Sequence, residues 1–492
     1  MALATTNATS RFTSEQTLIT PPAREQALRL MTTGQRVLWW ALFLALAAGL
    51  IWAWRPTLIW LNAAIMVFYL GVTLYKMVII VASARLGSQM RVSREEIDAL
   101  DEATLPRYTI LVPLFHESEV FDRLLEGLAR LDYPKDKLQI LLLLEETDTA
   151  TIEACRRADP QPPFEVIVVH DSYPRTKPKA CDVGLARANG NALVIYDAED
   201  RPEPDQLKKA VVAFRKAPPD VVCLQAKLNF YNKGHNLLTK WFTAEYSTWF
   251  DLYLPGLGHY DAPIPLGGTS NHFNLKTLLE MGGWDPYNVA EDCDLGVRIY
   301  RKGYRTAMLD STTWEEACSS LRYWIRQRSR WIKGYVQTFL VHTRSPIAVC
   351  RSLGLRRFAH FLILTGGMFF TYLINPFYWL LTLVWFLFRP DPTETGQIAG
   401  AIGAYFPGPV FVMAFLCLFA GNFAFIYSSM LGCCRRGYYD LVKYALIVPP
   451  YWLLMSIAAW KALFQLIWRP HYWEKTKHGL TKAADEIETS GK

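Results

Sequence analysis

The chain has 492 residues, of which 51% are hydrophobic, 14% aromatic and 20% charged, which excludes a disordered chain and a purely soluble class. The net charge of +7 is modest for this length, and no Lys/Arg block interleaves with aromatics as a nucleic-acid groove requires, so no nucleic-acid partner is expected. Nine Cys lie scattered without CxxC or Cys/His ligand spacing, which excludes a disulfide scaffold and a zinc site and points to reduced, mostly buried thiols.

Residues 1–33 are polar, rich in Thr, Ser and Ala, and unpatterned, and read as a mobile tail. Val37 to Trp54 is an uncharged apolar run, and a second run goes from Thr57 to Tyr75 and past Lys76 to Ala84. Each is long enough for a ~30 Å hydrocarbon core, which needs ~20 residues. Together they predict a transmembrane helical hairpin over 34–84. The first run starts too far from Met1 and lacks a small-residue cleavage site, so it does not read as a signal peptide.

Charge returns over 85–318, and this stretch alternates short apolar runs with helix-length segments. The runs are Arg107 to Phe115, Leu138 to Leu144, Phe164 to Val169 and Ala192 to Tyr196. Such alternation predicts βαβ units in an α/β, Rossmann-like and mostly parallel sheet, covered on both faces. Ligands of such sheets bind beyond the carboxyl ends of the strands. Those positions are acidic here: Glu145-Glu146 after the second strand, and Asp197, Glu199 and Asp200 after the fourth. Clustered carboxylates repel one another unless neutralised, and a hard divalent cation with oxygen ligands is the natural candidate. Neither a Walker A nor a GxGxxG phosphate loop is present at this site. Glu291 and Asp292 open a further helix, after the Gly282-Gly283-Trp284-Asp285-Pro286 turn. Residues 319–357 predict amphipathic interface helices. There Gln327, Arg330 and Trp331 lie three and four positions apart and share a helix face.

Apolarity resumes over 358–470, predicting a C-terminal transmembrane bundle, and 471–492 reads as a cytoplasmic, gating-like tail that carries Lys475, Lys477 and Lys482. Basic residues flanking the central domain, such as Arg85, Arg91, Arg356 and Arg357, place it in the cytoplasm of a multi-pass inner (plasma) membrane protein. Parity leaves two alternatives. Either Asn375-Pro376 divides one stretch, or the Pro449-Pro450 segment lies in the interface without crossing.

Taken in order, these motifs resemble the processive membrane family 2 glycosyltransferases, the group of cellulose, hyaluronan and chitin synthases. The resemblance rests on Pro113-Leu114-Phe115-His116-Glu117, Glu145-Glu146, Lys179-Ala180, Asp197-Ala198-Glu199, Gly267-Gly268-Thr269-Ser270, Glu291-Asp292 and the QxxRW set Gln327, Arg330 and Trp331. Trp473 to Lys477, including Thr476, is similar to the family's gating segment. It implies Asp292 as general base. It also implies donor or acceptor contacts from Glu117, Glu145, Glu146, Lys179, Glu291, Gln327, Arg330, Trp331 and Thr476, and Mg²⁺ or Mn²⁺ on Asp197 and Glu199. Glu stands where the family has Asp in two motifs, so the metal ligand remains open among Asp197, Glu199 and Asp200. The implied activity is inverting, processive hexosyl transfer from a UDP-sugar, with UDP-glucose leading and an N-acetylhexosamine second. The product would be a β-glucan chain. The growing polysaccharide and membrane lipid are implied partners, with export subunits a further class. The alternative is a non-processive membrane glycosyltransferase acting on a lipid-linked acceptor.

Overall fold

The computed structural model describes residues 12–15, 18–388 and 400–474. Strand β1 (Phe12–Glu15) precedes two long helices, α1 (Thr33–Trp52) and α2 (Trp54–Leu86). Next come β2 (Gln89–Met90), β3 (Tyr108–Leu114), β4 (Leu138–Glu145), β5 (Phe164–Val169), α3 (Lys177–Arg187), β6 (Ala192–Ile195), β7 (Arg201–Pro202) and β8 (Val221–Phe230). They are followed by α4 (Leu237–Thr248), β9 (Asn271–Asn274), α5 (Glu291–Arg301), β10 (Arg305–Glu315) and α6 (Leu321–His342). The chain closes with α7 (Leu355–Phe388), α8 (Gly408–Arg435) and α9 (Pro449–Trp468). Shorter helices fill the connections.

One sheet of ten strands runs in the order β1-β5-β4-β3-β6-β9-β8-β10-β2, with β7 paired to β10. It is mostly parallel; β9 is antiparallel to both neighbours, and β7 to β10. The four apolar runs of the sequence are β3 to β6. In β3 and β4, Ile110, Leu111, Leu141, Leu142 and Leu143 are almost wholly buried, because helices cover both faces. The sequence pattern does not announce β8, whose alternate positions Gln225, Lys227 and Asn229 are polar. All three are buried and partnered. Gln225 accepts from the Gly267 N–H at 2.7 Å, Lys227 pairs with Asp310 at 2.5 Å, and Asn229 donates to Ser247 at 3.1 Å. A buried polar group with its partner in place costs far less than an orphaned one.

The N-terminal segment departs from a mobile tail. β1 extends the sheet beside β5. The Ala27 N–H donates to Asp285 at 2.5 Å, and Arg344 donates to the Arg24 carbonyl at 3.0 Å. These contacts are separated by hundreds of residues, so no local pattern foretells them.

Among the described residues five helices, α1, α2, α7, α8 and α9, are long and apolar enough to cross a membrane. α9 differs from the other four in where its ends lie. It packs along α6. At its start, Trp241 donates to the Tyr444 carbonyl at 3.0 Å and the Tyr451 hydroxyl meets Glu245. At its end, Lys333 contacts Gln465 at 3.3 Å and Gln337 donates to the Pro470 carbonyl at 3.1 Å. Both ends of α9 therefore lie against the sheet-bearing half.

Candidate active site

A cavity of about 1140 Å³ opens beyond the carboxyl ends of β3, β4 and β6. Its wall includes Glu117, Glu145, Asp197, Glu199, Glu291, Asp292, Gln327, Arg330 and Trp331. Residues from five separate motifs thus converge on one space. At the edge of the cavity His116 and Ser270 both adopt a left-handed backbone, at φ +57° and +56°, a conformation that non-glycine residues rarely hold without support. The His116 N–H is fixed by Asp148 at 2.5 Å, and the Glu117 N–H by Thr151 at 3.0 Å.

The acids after β6 divide by role. Asp197 and Glu199 line the cavity. Asp200 is 7% exposed, receives the Asp197 N–H at 2.7 Å and accepts from the Thr269 hydroxyl. It ties the strand end to the Gly267–Ser270 loop. Burial, then the charges of Asp197 and Glu199, holds Asp200 well above the ordinary carboxylate range. Glu315, at the end of β10, faces the same cavity and is raised by burial, then by Asp200, Glu199 and Asp197. So much like charge favours a cation. Among the described residues no group of three or more His, Cys, Asp and Glu is poised as a closed metal cage. Two cavity-facing carboxylates with an open side fit Mg²⁺ or Mn²⁺, which take few protein ligands and complete their shell with water and phosphate oxygens.

Lys177, at the start of α3, reaches into this cluster. Its ammonium pairs with Asp197 and donates to the Gly268 carbonyl at 2.8 Å. A Cβ on Gly268 would sit 3.5 Å from Asp292 Oδ2 and 3.8 Å from Lys177 Nζ, so acid and ammonium meet across that glycine. Burial raises the pKa of Asp292 to about 6, against the opposing pull of Lys177 and Arg330. Burial and the Asp292 charge together raise Glu291 as well. Two adjacent buried carboxyls do not both ionise freely, so the pair holds a proton more readily than either acid would alone.

Helix α6 brings Arg330 and Trp331 to this pair through a close approach at Gly334. A Cβ there would lie 2.3 Å from Ala290 Cβ and 2.5 Å from Ala290 N. The Arg330 guanidinium lies 4.3 Å from the Trp473 ring centroid. The segment 469–474 thus closes one side of the cavity. Lys333 holds it by donating to the Tyr472 carbonyl at 2.8 Å, and Lys461 and Arg326 pair with Glu474 at 2.7 and 3.2 Å.

Three expected residues stand elsewhere. Lys179 is not on the cavity wall; it is 2% exposed and donates to the His170 and Ser172 carbonyls at 3.1 Å, with Glu145 at 3.8 Å. Two positions apart on a helix point to different sides, so Lys177 takes the cavity-facing place. Glu146 also lies off the wall and binds the Asp171 N–H and His170, both at 2.9 Å. Thr476 lies outside the described residues. The motifs did not single out Lys177, Glu245 or Glu315. Glu315 follows a strand end like the other acids, a signal hidden by the polar character of β10.

Two family descriptions match this chain: Glycosyl transferase family 2 over residues 109–270, and Glycosyl transferase family group 2 over residues 192–421. The two matches overlap over residues 192–270, where the chain carries the Asp197 to Asp200 acids and the Gly267–Ser270 loop. The chain is similar to the probable glycosyltransferase YdaM of Bacillus subtilis, 26% identical over 47% of this chain and 55% of that protein. It is also similar to the probable glucomannan 4-beta-mannosyltransferase 1 of Arabidopsis thaliana, 25% identical over 48% of this chain and 44% of that protein. The chain thus spans about half the length of these relatives. Among solved structures, the mannosyltransferase PcManGT from Pyrobaculum calidifontis, in complex with GDP-Man and Mn²⁺, is similar at 19% identity and a TM-score of 0.48. That similarity covers 84% of this chain and 99% of the other.

Proposed function

We propose that this glycosyltransferase performs inverting, processive hexosyl transfer from a nucleoside diphosphate sugar onto a β-linked chain that passes into the membrane bundle. The observation that carries the reading is the convergence of Asp197, Asp292 and Arg330 on one cavity, which shares Trp249, Met368, Tyr372 and Met455 with a second cavity of about 670 Å³ among the apolar helices. Asp292 accepts the proton of the acceptor hydroxyl as that oxygen bonds the anomeric carbon from the face opposite the diphosphate. The bond to the diphosphate oxygen breaks, its electron pair leaves with the nucleotide, and the transition state is oxocarbenium-like. Lys177 and Arg330 neutralise the leaving group. A Mg²⁺ or Mn²⁺ held by Asp197 and Glu199 would add Lewis-acid stabilisation there. Glu117, Glu145 and Arg175 face the nucleotide end, and Gln327 and Trp331 face the acceptor.

The relatives' names turn attention from glucose towards mannose, so GDP-mannose stands beside UDP-glucose as donor. We place the catalytic domain over residues 85–318 on the cytoplasmic side. α1, α2, α7 and α8 cross the membrane, while α9 lies in the interface, the second of the two parity alternatives, a reading supported by the contacts at both of its ends. Membrane vesicles given each radiolabelled nucleotide sugar, followed by linkage-specific glycanase digestion, test the assignment. A digestible polymer from one donor supports it. A single sugar on a lipid carrier replaces it with the non-processive alternative, which the aromatic and aliphatic wall of the second cavity also suits.

A further inference from the structure

The two cavities meet at a partly buried charge cluster that the transfer step does not use. Glu245, on α4, lines both. Its carboxylate accepts from Arg328 at 2.9 Å, and also from the second Arg328 amino group and the Tyr451 hydroxyl. The Arg328 guanidinium is walled by rings, 4.5 Å from the Phe242 centroid and 4.8 Å from that of Trp331. Lys76 of α2 lines the second cavity together with Glu245. Burying such a pair is expensive, and an apolar replacement is often no less stable, so packing alone is a weak reason for it. Meanwhile the Glu245 side chain remains 31% exposed, at the boundary the cavities share. A carboxylate has about four acceptor sites, of which Arg328 and Tyr451 take up three. An oriented carboxylate among aromatic rings matches the chemistry of a hexose, whose hydroxyls donate and whose C–H face stacks.

We propose that Glu245, held by Arg328 and Tyr451, is an acceptor-positioning residue: it binds hydroxyls of the sugar behind the attacked terminal unit, where the catalytic cavity passes into the membrane bundle. This inference rests on the processive reading. Arg328 and Trp331 lie three apart on α6, so the hold on that sugar and the wall facing the terminal one belong to one helix face.

The test uses the full chain in phospholipid vesicles, radiolabelled GDP-mannose and UDP-glucose as donors, and manno- and cello-oligosaccharides as acceptors. Glu245→Gln is expected to raise the acceptor KM at least about tenfold and to shorten the product, with kcat at saturating acceptor changed less than about threefold. Glu245→Asp is expected to recover part of the loss. If Glu245 served only to neutralise Arg328, the double variant Glu245→Gln/Arg328→Met would restore the acceptor KM; the proposal expects it to stay high. Nucleoside diphosphate titration reports whether each variant folds, and if the single variant fails that check the double variant decides. An unchanged acceptor KM in Glu245→Gln, or its restoration in the double variant, overturns the inference. A wild-type protein that turns over neither donor overturns the parent reading instead.

Discussion

At the scale of a single side chain, the proposed base role of Asp292 is open to direct test. Asp292→Asn keeps the shape and removes the proton acceptor, so kcat is expected to fall about 10²–10⁴-fold while nucleoside diphosphate binding persists. Titration calorimetry beside a turnover assay checks both halves. Because burial holds Asp292 at about 6, the base is lost by protonation as pH drops through that value. The wild-type rate is therefore expected to rise with pH and level off above it, an inflection well above the ordinary Asp value of about 3.9. The two lysines of α3 give a contrasting pair. Lys177→Met is expected to raise the donor KM about tenfold or more, since a charge-assisted contact to phosphate is lost. Lys179→Met is expected to leave the donor KM near wild type and to cost about 1–3 kcal/mol of stability, because two backbone carbonyls lose their donor. Thermal melts and donor kinetics on both variants separate the roles. A lysine motif announces the cluster without saying which lysine faces it; that is settled by how α3 is rotated about its axis, which packing decides.

Elements show the same division between what is written locally and what is not. β3 to β6 are readable because each is a continuous apolar run, and α6 because its basic and aromatic residues recur at helical spacing. β8 and β10 are not, since their polar residues find partners from distant segments. The contact between α6 and Ala290 falls in the same class. Gly334 is one glycine in a helix, where local propensity counts against it by about 1 kcal/mol relative to Ala. Its value appears only when Ala290 is seen against it. Gly334→Val is expected to push α6 from α5 and to lower transfer at least tenfold, with an overpacking cost of about 1–3 kcal/mol. Activity measured beside a denaturation midpoint would show the first effect exceeding the second; equal rates in variant and wild type would sink the close-approach argument.

Across the whole molecule, hydropathy marks apolar helices but cannot tell a crossing helix from one lying flat. α9 is the case in point: its composition qualifies it as a span, yet it packs along α6, and its two ends meet α4 and α6. In a Cys434→Ser background, single cysteines replacing Ser93 and Tyr472 are expected to react with a membrane-impermeant maleimide from one side of sealed vesicles, and one replacing Tyr405 from the other. Opposite-side labelling of Ser93→Cys and Tyr472→Cys would mean that α9 crosses.

The tie between Ala27 and Asp285 also sets an order of assembly. The two residues are 258 positions apart, so at about 5–20 residues per second the leading segment waits roughly 13–50 s on the ribosome before its binding partner is made. During that interval α1 and α2 are made with their front end untethered. Pairing of α1 with α2 is thereby a separate event from maturation of the sheet, and a lesion at Asp285 would strike the second while sparing the first.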